Sequence, residues 1–105
     1  MITAEFFIKE GVNSGFRICG HSGYAEEGND IVCASVSSAV QLTANTITDF
    51  IGAEADVSVG KNGLITLKLK KDNCTASKIL DSLRVHLEFI SQEFSGTIKI
   101  KATEV

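Results

Sequence analysis

The chain has 105 residues, 44% of them hydrophobic and 22% charged, and its formal net charge is −3. This length predicts one domain over residues 1–105, because domains commonly run to roughly 100–150 residues. The acidic balance disfavours a nucleic-acid partner, which calls for a basic patch, and no apolar run approaches the ~20 residues of a membrane span.

The first twenty residues predict a β-hairpin. Residues 2–9 alternate, with Ile2, Ala4, Phe6 and Ile8 on one face, which is the period of a strand. Residues 11–15 supply turn-forming side chains, and the alternation resumes from Phe16 to Gly20 in a second strand. Residues 22–30 show no period and contain glycine and acidic side chains, which is typical of a mobile loop.

A long amphipathic helix follows this loop. Its apolar positions run at helical spacing from Val32 to Ile51, over about five turns. Asn29 or Asp30 is suited to the N-cap, because a short side-chain oxygen can accept an unpaired helical N–H. Gly52 is suited to the helix end.

The second half of the chain repeats this order. Residues 57–59 and 65–69 alternate around a Gly60–Gly63 turn, a second helix carries an apolar stripe from Ile79 to Phe94, and residues 98–101 form a last strand. The predicted order is therefore β-β-α-β-β-α-β. Hairpins give mostly antiparallel pairing, and two long helices can cover the sheet, so the predicted class is α+β.

One stretch carries the residue types of nucleophilic catalysis. His21 ends a strand, Cys33 falls in the first turn of a helix, and a glycine-containing loop joins them. The unpaired N–H groups and the dipole at a helix start favour a thiolate. A nearby imidazole can accept the thiol proton, and the same exposed amides could stabilise an oxyanion.

The sequence of this stretch resembles the signature of the ribosomal-processing cysteine protease Prp family. The resemblance rests on Gly20-His21, a loop with Gly23 and Gly28, the block Asp30-Ile31-Val32-Cys33-Ala34, and Ser37. It extends over essentially the whole chain. It implies an α+β homodimer of the bacterial cytoplasm. Such an enzyme removes an N-terminal extension from the large-subunit ribosomal protein numbered twenty-seven and needs no metal or other cofactor.

The resemblance also implies residue roles. Cys33 is the nucleophile and His21 the general base, with Asp30 and Ser37 as supporting residues and the three glycines in a substrate loop. Asp30 would cap the helix or orient the base. Ser37, one turn after Cys33, would hydrogen-bond near the thiol. The family's cleavage segment is hydrophobic, which implies an apolar groove beside the site.

Two other functions stay open on the residues alone. A metal-binding module would use Cys19, His21 and Cys33, although a fourth ligand and paired spacings are missing. A non-catalytic ribosome-assembly factor would use the same surface for binding. The remaining candidates are weaker, because no helix start lies beside Cys19, no histidine is close to Cys74 in sequence, and His86 borders an apolar stripe and is expected to be partly buried.

Overall fold

Five strands and two helices follow one another in the predicted order, in a computed structural model that describes residues 1–20 and 30–105, residue 62 by its backbone only. Their bounds are β1 Ile2–Lys9, β2 Val12–Gly20, α1 Ile31–Asn45, β3 Ala55–Val59, β4 Ile65–Leu69, α2 Cys74–Glu93 and β5 Ile98–Glu104. The α+β class is confirmed.

The strands form one sheet in the order β3-β4-β2-β1-β5. β1 pairs with β2, β2 with β4 and β3 with β4, all antiparallel. β5 pairs parallel with β1, because the chain reaches it through the long helix α2 and not through a tight turn. The prediction of a mostly antiparallel sheet is therefore confirmed.

The core lies between one face of the sheet and both helices. Alternation along the strands and helical spacing along α1 and α2 bring the same kinds of apolar side chain inward. The fully buried members of largest volume are Phe6, Phe16, Ile47, Leu67, Leu80, Leu87, Val32 and Val40. Burying a side chain of this size stabilises the fold by about 1.5–3 kcal/mol.

The first hairpin turn is tighter than the sequence pattern predicts. Glu10 and Gly11 have φ values of 53° and 79°, as in a two-residue type I′ turn, and β2 already begins at Val12. Asn13 is buried in β2, where its Oδ1 accepts the Gly15 N–H at 3.2 Å. The prediction that residues 12–15 form a turn is therefore wrong, since the positive φ values of Glu10 and Gly11 complete it.

Helix α1 continues as a π-helical turn over Thr46–Phe50, and the helical stretch ends before Gly52, whose φ is 70°. The combined run Ile31–Phe50 is long and apolar enough, by length and composition, to span a membrane. This corrects the expectation that no run approaches that length, because the segment has no charged residue before Asp49. The run nevertheless places Val32, Val36, Val40 and Ile47 in the core.

Candidate active site

Helix α1 begins at a side-chain cap. Asp30 has extended backbone angles, and its Oδ1 accepts the N–H groups of Val32 at 3.0 Å and Cys33 at 3.1 Å. These are two of the donors that a helix start leaves without an intrahelical partner. The predicted N-cap is confirmed at Asp30, and Cys33 lies in the first turn, as expected.

The same carboxylate contacts the thiol. Cys33 Sγ donates a hydrogen bond to Asp30 Oδ2 at 3.2 Å, and the Cys33 side chain is half-buried against the core. One oxygen of Asp30 therefore satisfies the helix amides while the other accepts the thiol hydrogen. Of the two predicted roles of Asp30, capping is confirmed, and orientation of His21 stays a prediction because His21 lies outside the described residues.

The first-turn amides are less available than the sequence predicts. The N–H groups of Val32 and Cys33 donate to the Asp30 carboxylate, and the Ala34 N–H donates to the Asp30 carbonyl at 3.2 Å. An oxyanion could use these amides only if a donor left its present acceptor. The expectation that they are exposed for this purpose is therefore wrong for Val32, Cys33 and Ala34.

A small cavity of about 130 Å³ opens beside the thiol. Apolar side chains from three strands and α1 make most of its wall. Its lining residues are Ile2, Ile18, Cys19, Gly20, Cys33, Val36, Ser37, Val40, Gly63 and Ile65. The structure thus brings Cys33, Ser37 and Gly20 together, and the cavity is an apolar surface of the kind that the resemblance implies.

Ser37 is exposed at this cavity. Its Oγ accepts a hydrogen bond from the Gln41 side chain at 3.3 Å. The predicted proximity of Ser37 to Cys33 is confirmed, but the hydrogen bond formed by Ser37 joins it to Gln41. Because the Oγ accepts in this bond, the hydroxyl hydrogen is not consumed by it and can donate to a group in the cavity.

Gly20 ends β2 in a conformation that favours glycine. Its φ is +100°, and a Cβ built at this position would lie 2.6 Å from the Met1 carbonyl oxygen. Real Cβ atoms do not approach backbone oxygen so closely, and side chains rarely adopt this φ. The glycine therefore permits the close approach of the two chain segments at the cavity.

Several predicted site residues lie outside the described part of the chain. They are His21, Gly23 and Gly28. Within residues 1–20 and 30–105, no group of three or more His, Cys, Asp or Glu is arranged to hold a metal ion. The alternative set Cys19, His21 and Cys33 includes one undescribed member, so it stays untested.

The structure describes the three weaker candidates, Cys19, Cys74 and His86. Cys19 lines the Cys33 cavity, which agrees with its position two residues before His21 on an alternating strand. Cys74 is the exposed first residue of α2 and borders a different cavity, together with the Glu10–Gly11 turn, at the opposite end of β1 and β2 from Gly20. His86 is exposed, so the prediction that it is partly buried is wrong.

The hydrophobic walls of the cavity were not predicted individually. Ile18 lies two residues before Gly20 on its strand, a spacing that places it near the site. Ile65 and Gly63 come from a distant hairpin, so only the pairing of β2 with β4 brings them to Cys33.

Comparisons with known proteins agree with this geometry. The family model for cysteine protease Prp matches residues 1–99. The ribosomal processing cysteine protease Prp of Staphylococcus aureus is 28% identical over 103 residues, covering 95% of this chain and 97% of the relative. The Bacillus subtilis protein of the same name is 35% identical over 48 residues, covering 46% of this chain and 43% of the relative.

Solved structures extend the likeness to the whole fold. The crystal structure of S. aureus Prp with a covalently linked product peptide has a TM-score of 0.89 and 26% identity, covering 98% of this chain and all of that one. A second S. aureus Prp structure, with a substrate peptide, has a TM-score of 0.85 at 24% identity and the same coverage. At this identity the likeness shows the fold alone. The chain therefore belongs to the cysteine protease Prp family.

Proposed function

We propose that this cysteine protease removes the N-terminal extension of the bacterial large-subunit ribosomal protein numbered twenty-seven. The S. aureus relative is named a ribosomal processing protease, and its structure with a covalently linked product peptide has the same fold as this chain. The substrate is therefore a protein segment that enters the Cys33 cavity. The apolar walls of that cavity match a hydrophobic cleavage segment.

The reaction begins at the Cys33 thiol. Its hydrogen, which Asp30 Oδ2 accepts in the resting enzyme, passes to His21, and Sγ attacks the scissile carbonyl carbon. The peptide C–N bond then breaks as His21 returns the proton to the leaving amine. The products of this half-reaction are a free amine fragment and a thioester between Sγ and the acyl fragment.

Water completes the cycle. His21 takes a proton from water as the oxygen attacks the thioester carbon, and the C–S bond breaks to release a carboxylic acid. The thiolate regains a proton from His21, and the thiol can return to Asp30. No metal or other cofactor takes part in this sequence.

The position of Cys33 carries the proposal. Its sulfur stands in the first turn of α1 and borders an apolar cavity. A helix start favours negative charge on the sulfur through its aligned peptide dipoles. Cys19 shares the cavity but belongs to a strand, and Cys74 starts a helix away from the cavity. Of the three thiols, Cys33 alone combines both features.

We also propose that two copies associate, through the outer faces of the helices. Large apolar side chains are exposed there, namely Leu42, Phe50, Val85 and Phe89. Exposed apolar patches of this kind mark interaction surfaces. Sedimentation should give a dimer for the wild type and a monomer for the double variant Leu42→Ser, Phe89→Ser. A monomeric wild type at micromolar concentration would refute this part.

The bacterial cytoplasm is the proposed location, since the client protein is made there, and a nucleic-acid partner is not expected for an acidic chain of this kind. A membrane partner is not expected either, because the apolar run of α1 places Val32, Val36, Val40 and Ile47 in the core. A non-catalytic assembly factor remains the second candidate, because the apolar cavity could hold a client without cleaving it. Thiol reactivity separates the two functions. An enzyme should react with iodoacetamide much faster at Cys33 than at Cys74.

The direct test is cleavage of a peptide that spans the junction between the extension and the mature client. Mass spectrometry should show one cut at that junction by the wild type and none by His21→Ala. Circular dichroism on both proteins serves as the folding control. Intact peptide after incubation with the wild type would refute the assignment of substrate.

A further inference from the structure

The strand β3 forms one end of the sheet and presents a backbone edge. Hydrogen bonds join the Lys70 N–H to the Glu54 carbonyl and the Gly60 N–H to the Leu64 carbonyl, both at 2.8 Å. Hydrogen-bonded pairs alternate with non-bonded pairs along an antiparallel ladder, so the even-numbered residues between them also bond to β4. Ala55, Val57 and Val59 therefore direct their N–H and C=O groups away from β4.

The two valines of this strand are apolar and exposed, whereas Asp56 and Ser58 project from the other face of the sheet. Val57 is 43% and Val59 75% accessible. Val57 is paired with the buried Leu67, and paired residues project from the same face. The two valines thus lie on the helix-covered face of the sheet, yet the described residues leave much of their surface uncovered.

Charged side chains protect the opposite edge of the sheet. β5 carries the exposed lysines Lys99 and Lys101, and charged side chains, lysine above all, discourage edge-to-edge pairing. β3 has neither a lysine nor a proline. Its one charged residue, Asp56, is ion-paired with Lys70 at 3.3 Å. An edge strand with so little charge is either an aggregation risk or a template for an added strand.

This edge leads directly to the reactive thiol. Val59 is paired with Ile65, and Ile65 lines the cavity with Cys33 and Gly63. Adjacent strands lie about 4.8 Å apart, so the end of β3 lies one strand away from the cavity wall at Ile65. An extended peptide on β3 would be carried toward Cys33.

We propose that the substrate binds as an added β-strand on β3, which rests on the proposed protease function. Its backbone would pair with the outward groups of Val57 and Val59, and every second side chain would pack on the two valines. The chemistry that this edge selects is an extended, uncharged segment with apolar side chains at alternate positions.

The first experiment removes one outward donor. Val57→Pro deletes an N–H that faces away from β4, and an edge strand tolerates proline where the N–H faces outward. We expect the KM for the peptide to rise about tenfold, the effect of one lost hydrogen bond that leaves a peptide carbonyl unpaired, while the circular dichroism spectrum is preserved. An unchanged KM in the folded variant would overturn the proposal.

Ala102→Pro is the matched control. The Ile2 N–H donates to the Thr97 carbonyl, and the Val105 N–H donates to the Ile8 carbonyl. In the parallel ladder the odd-numbered residues of β5 therefore face β1, and the Ala102 N–H faces outward. Ala102 is exposed and stands toward the end of β5 that is distant from Cys33. The KM of the Ala102→Pro variant should equal that of the wild type. A rise as large as that of Val57→Pro would overturn the assignment of peptide binding to β3.

A second experiment leaves the enzyme unaltered, in case Val57→Pro does not fold. The substrate peptide is methylated at one backbone nitrogen at a time. Strand addition predicts that KM rises at every second position of the apolar segment, because only alternate N–H groups face β3. A uniform response along the segment would overturn the proposal.

Two further results distinguish strand addition from the proposed protease function and from dimerisation at the same edge. Cleavage by Cys33→Ala would remove the proposed function itself, whereas an unchanged KM in Val57→Pro with cleavage still dependent on Cys33 would remove strand addition alone. Sedimentation that shows a wild-type dimer and a Val57→Pro monomer would overturn strand addition by the substrate, since a second copy of the chain would then occupy the edge.

Discussion

The Cys33 sulfur lies 3.2 Å from one carboxylate oxygen of Asp30, whose other oxygen accepts the N–H groups of Val32 and Cys33. One side chain therefore starts α1 and holds the hydrogen of the thiol. The helix start and the reactive atom share a single residue, so substitutions of Asp30 should separate a structural effect from a chemical one.

Asp30→Ala should destabilise the protein by about 1 kcal/mol, because two helix amides lose their acceptor. For a domain of this size that corresponds to a fall in Tm of about 4–8 °C. Asp30→Asn retains an oxygen that can cap the helix, so its Tm should stay close to that of the wild type. Thermal unfolding followed by circular dichroism distinguishes these outcomes, and equal Tm values for the Ala and Asn variants would contradict the capping role.

Asp30→Asn should also change the chemistry of the thiol. The substitution removes a negative charge that lies beside the sulfur and accepts its hydrogen, so formation of the thiolate loses an opposing interaction. We expect Cys33 to react with iodoacetamide several-fold faster at neutral pH, with the rate at Cys74 unchanged as the internal control. A slower reaction at Cys33 would show that the carboxylate assists the thiolate.

Gly20→Ala tests the tight approach at the edge of the cavity. The added Cβ would meet the Met1 carbonyl oxygen in addition to the strain of φ +100°. Gly11→Ala is the matched control, since Gly11 has φ +79° with nothing within 4 Å of the added atom. Both should lose stability to backbone strain of about 1–2 kcal/mol, and Gly20→Ala should lose more. Its kcat/KM should fall as well, whereas that of Gly11→Ala should not.

Ser37→Leu tests the cavity as the substrate site. Ser37 lines the Cys33 cavity, whereas Ser38 lines a separate groove between α1 and α2. A leucine at position 37 should obstruct the cavity and raise KM by about tenfold or more, while Ser38→Leu should leave KM unchanged. Both serines are exposed, so Tm should change little in either variant. Equal KM values for the two variants would place peptide binding elsewhere.

The sequence pattern predicted the fold well wherever alternation and helical spacing were long. The predicted run from Val32 to Ile51 lies in the core as far as Ile47, whereas its last two positions, Phe50 and Ile51, are exposed. The predicted stripe from Ile79 to Phe94 is buried along its middle and partly buried at both ends. The pattern failed at the first hairpin, because a turn closed by positive φ at Glu10 and Gly11 leaves Asn13 inside β2. Asn13 is turn-forming by type, but its side chain is satisfied there by the Gly15 N–H and by Asp81.

The site was predictable in part for a physical reason. Asp30 caps α1, and Cys33 and Ser37 lie one turn apart in that helix, so local spacing places the three together. The walls contributed by Ile2 and Ile65 depend on the pairing of strands that are distant in sequence, which local spacing does not specify. The contact of Asp30 with the thiol was not predicted either, because it depends on the rotamers of two side chains.

Identification of Cys33 as the nucleophile is tested most directly by comparing single cysteine variants on the client peptide. Cys33→Ala should lower kcat/KM by about 10⁴-fold or more, as loss of a nucleophile does in other proteases, with its circular dichroism spectrum preserved. Cys74→Ala, at the start of the other helix, should cleave at the wild-type rate. Cleavage by Cys33→Ala at a rate comparable to that of the wild type, or its loss in Cys74→Ala, would contradict the assignment.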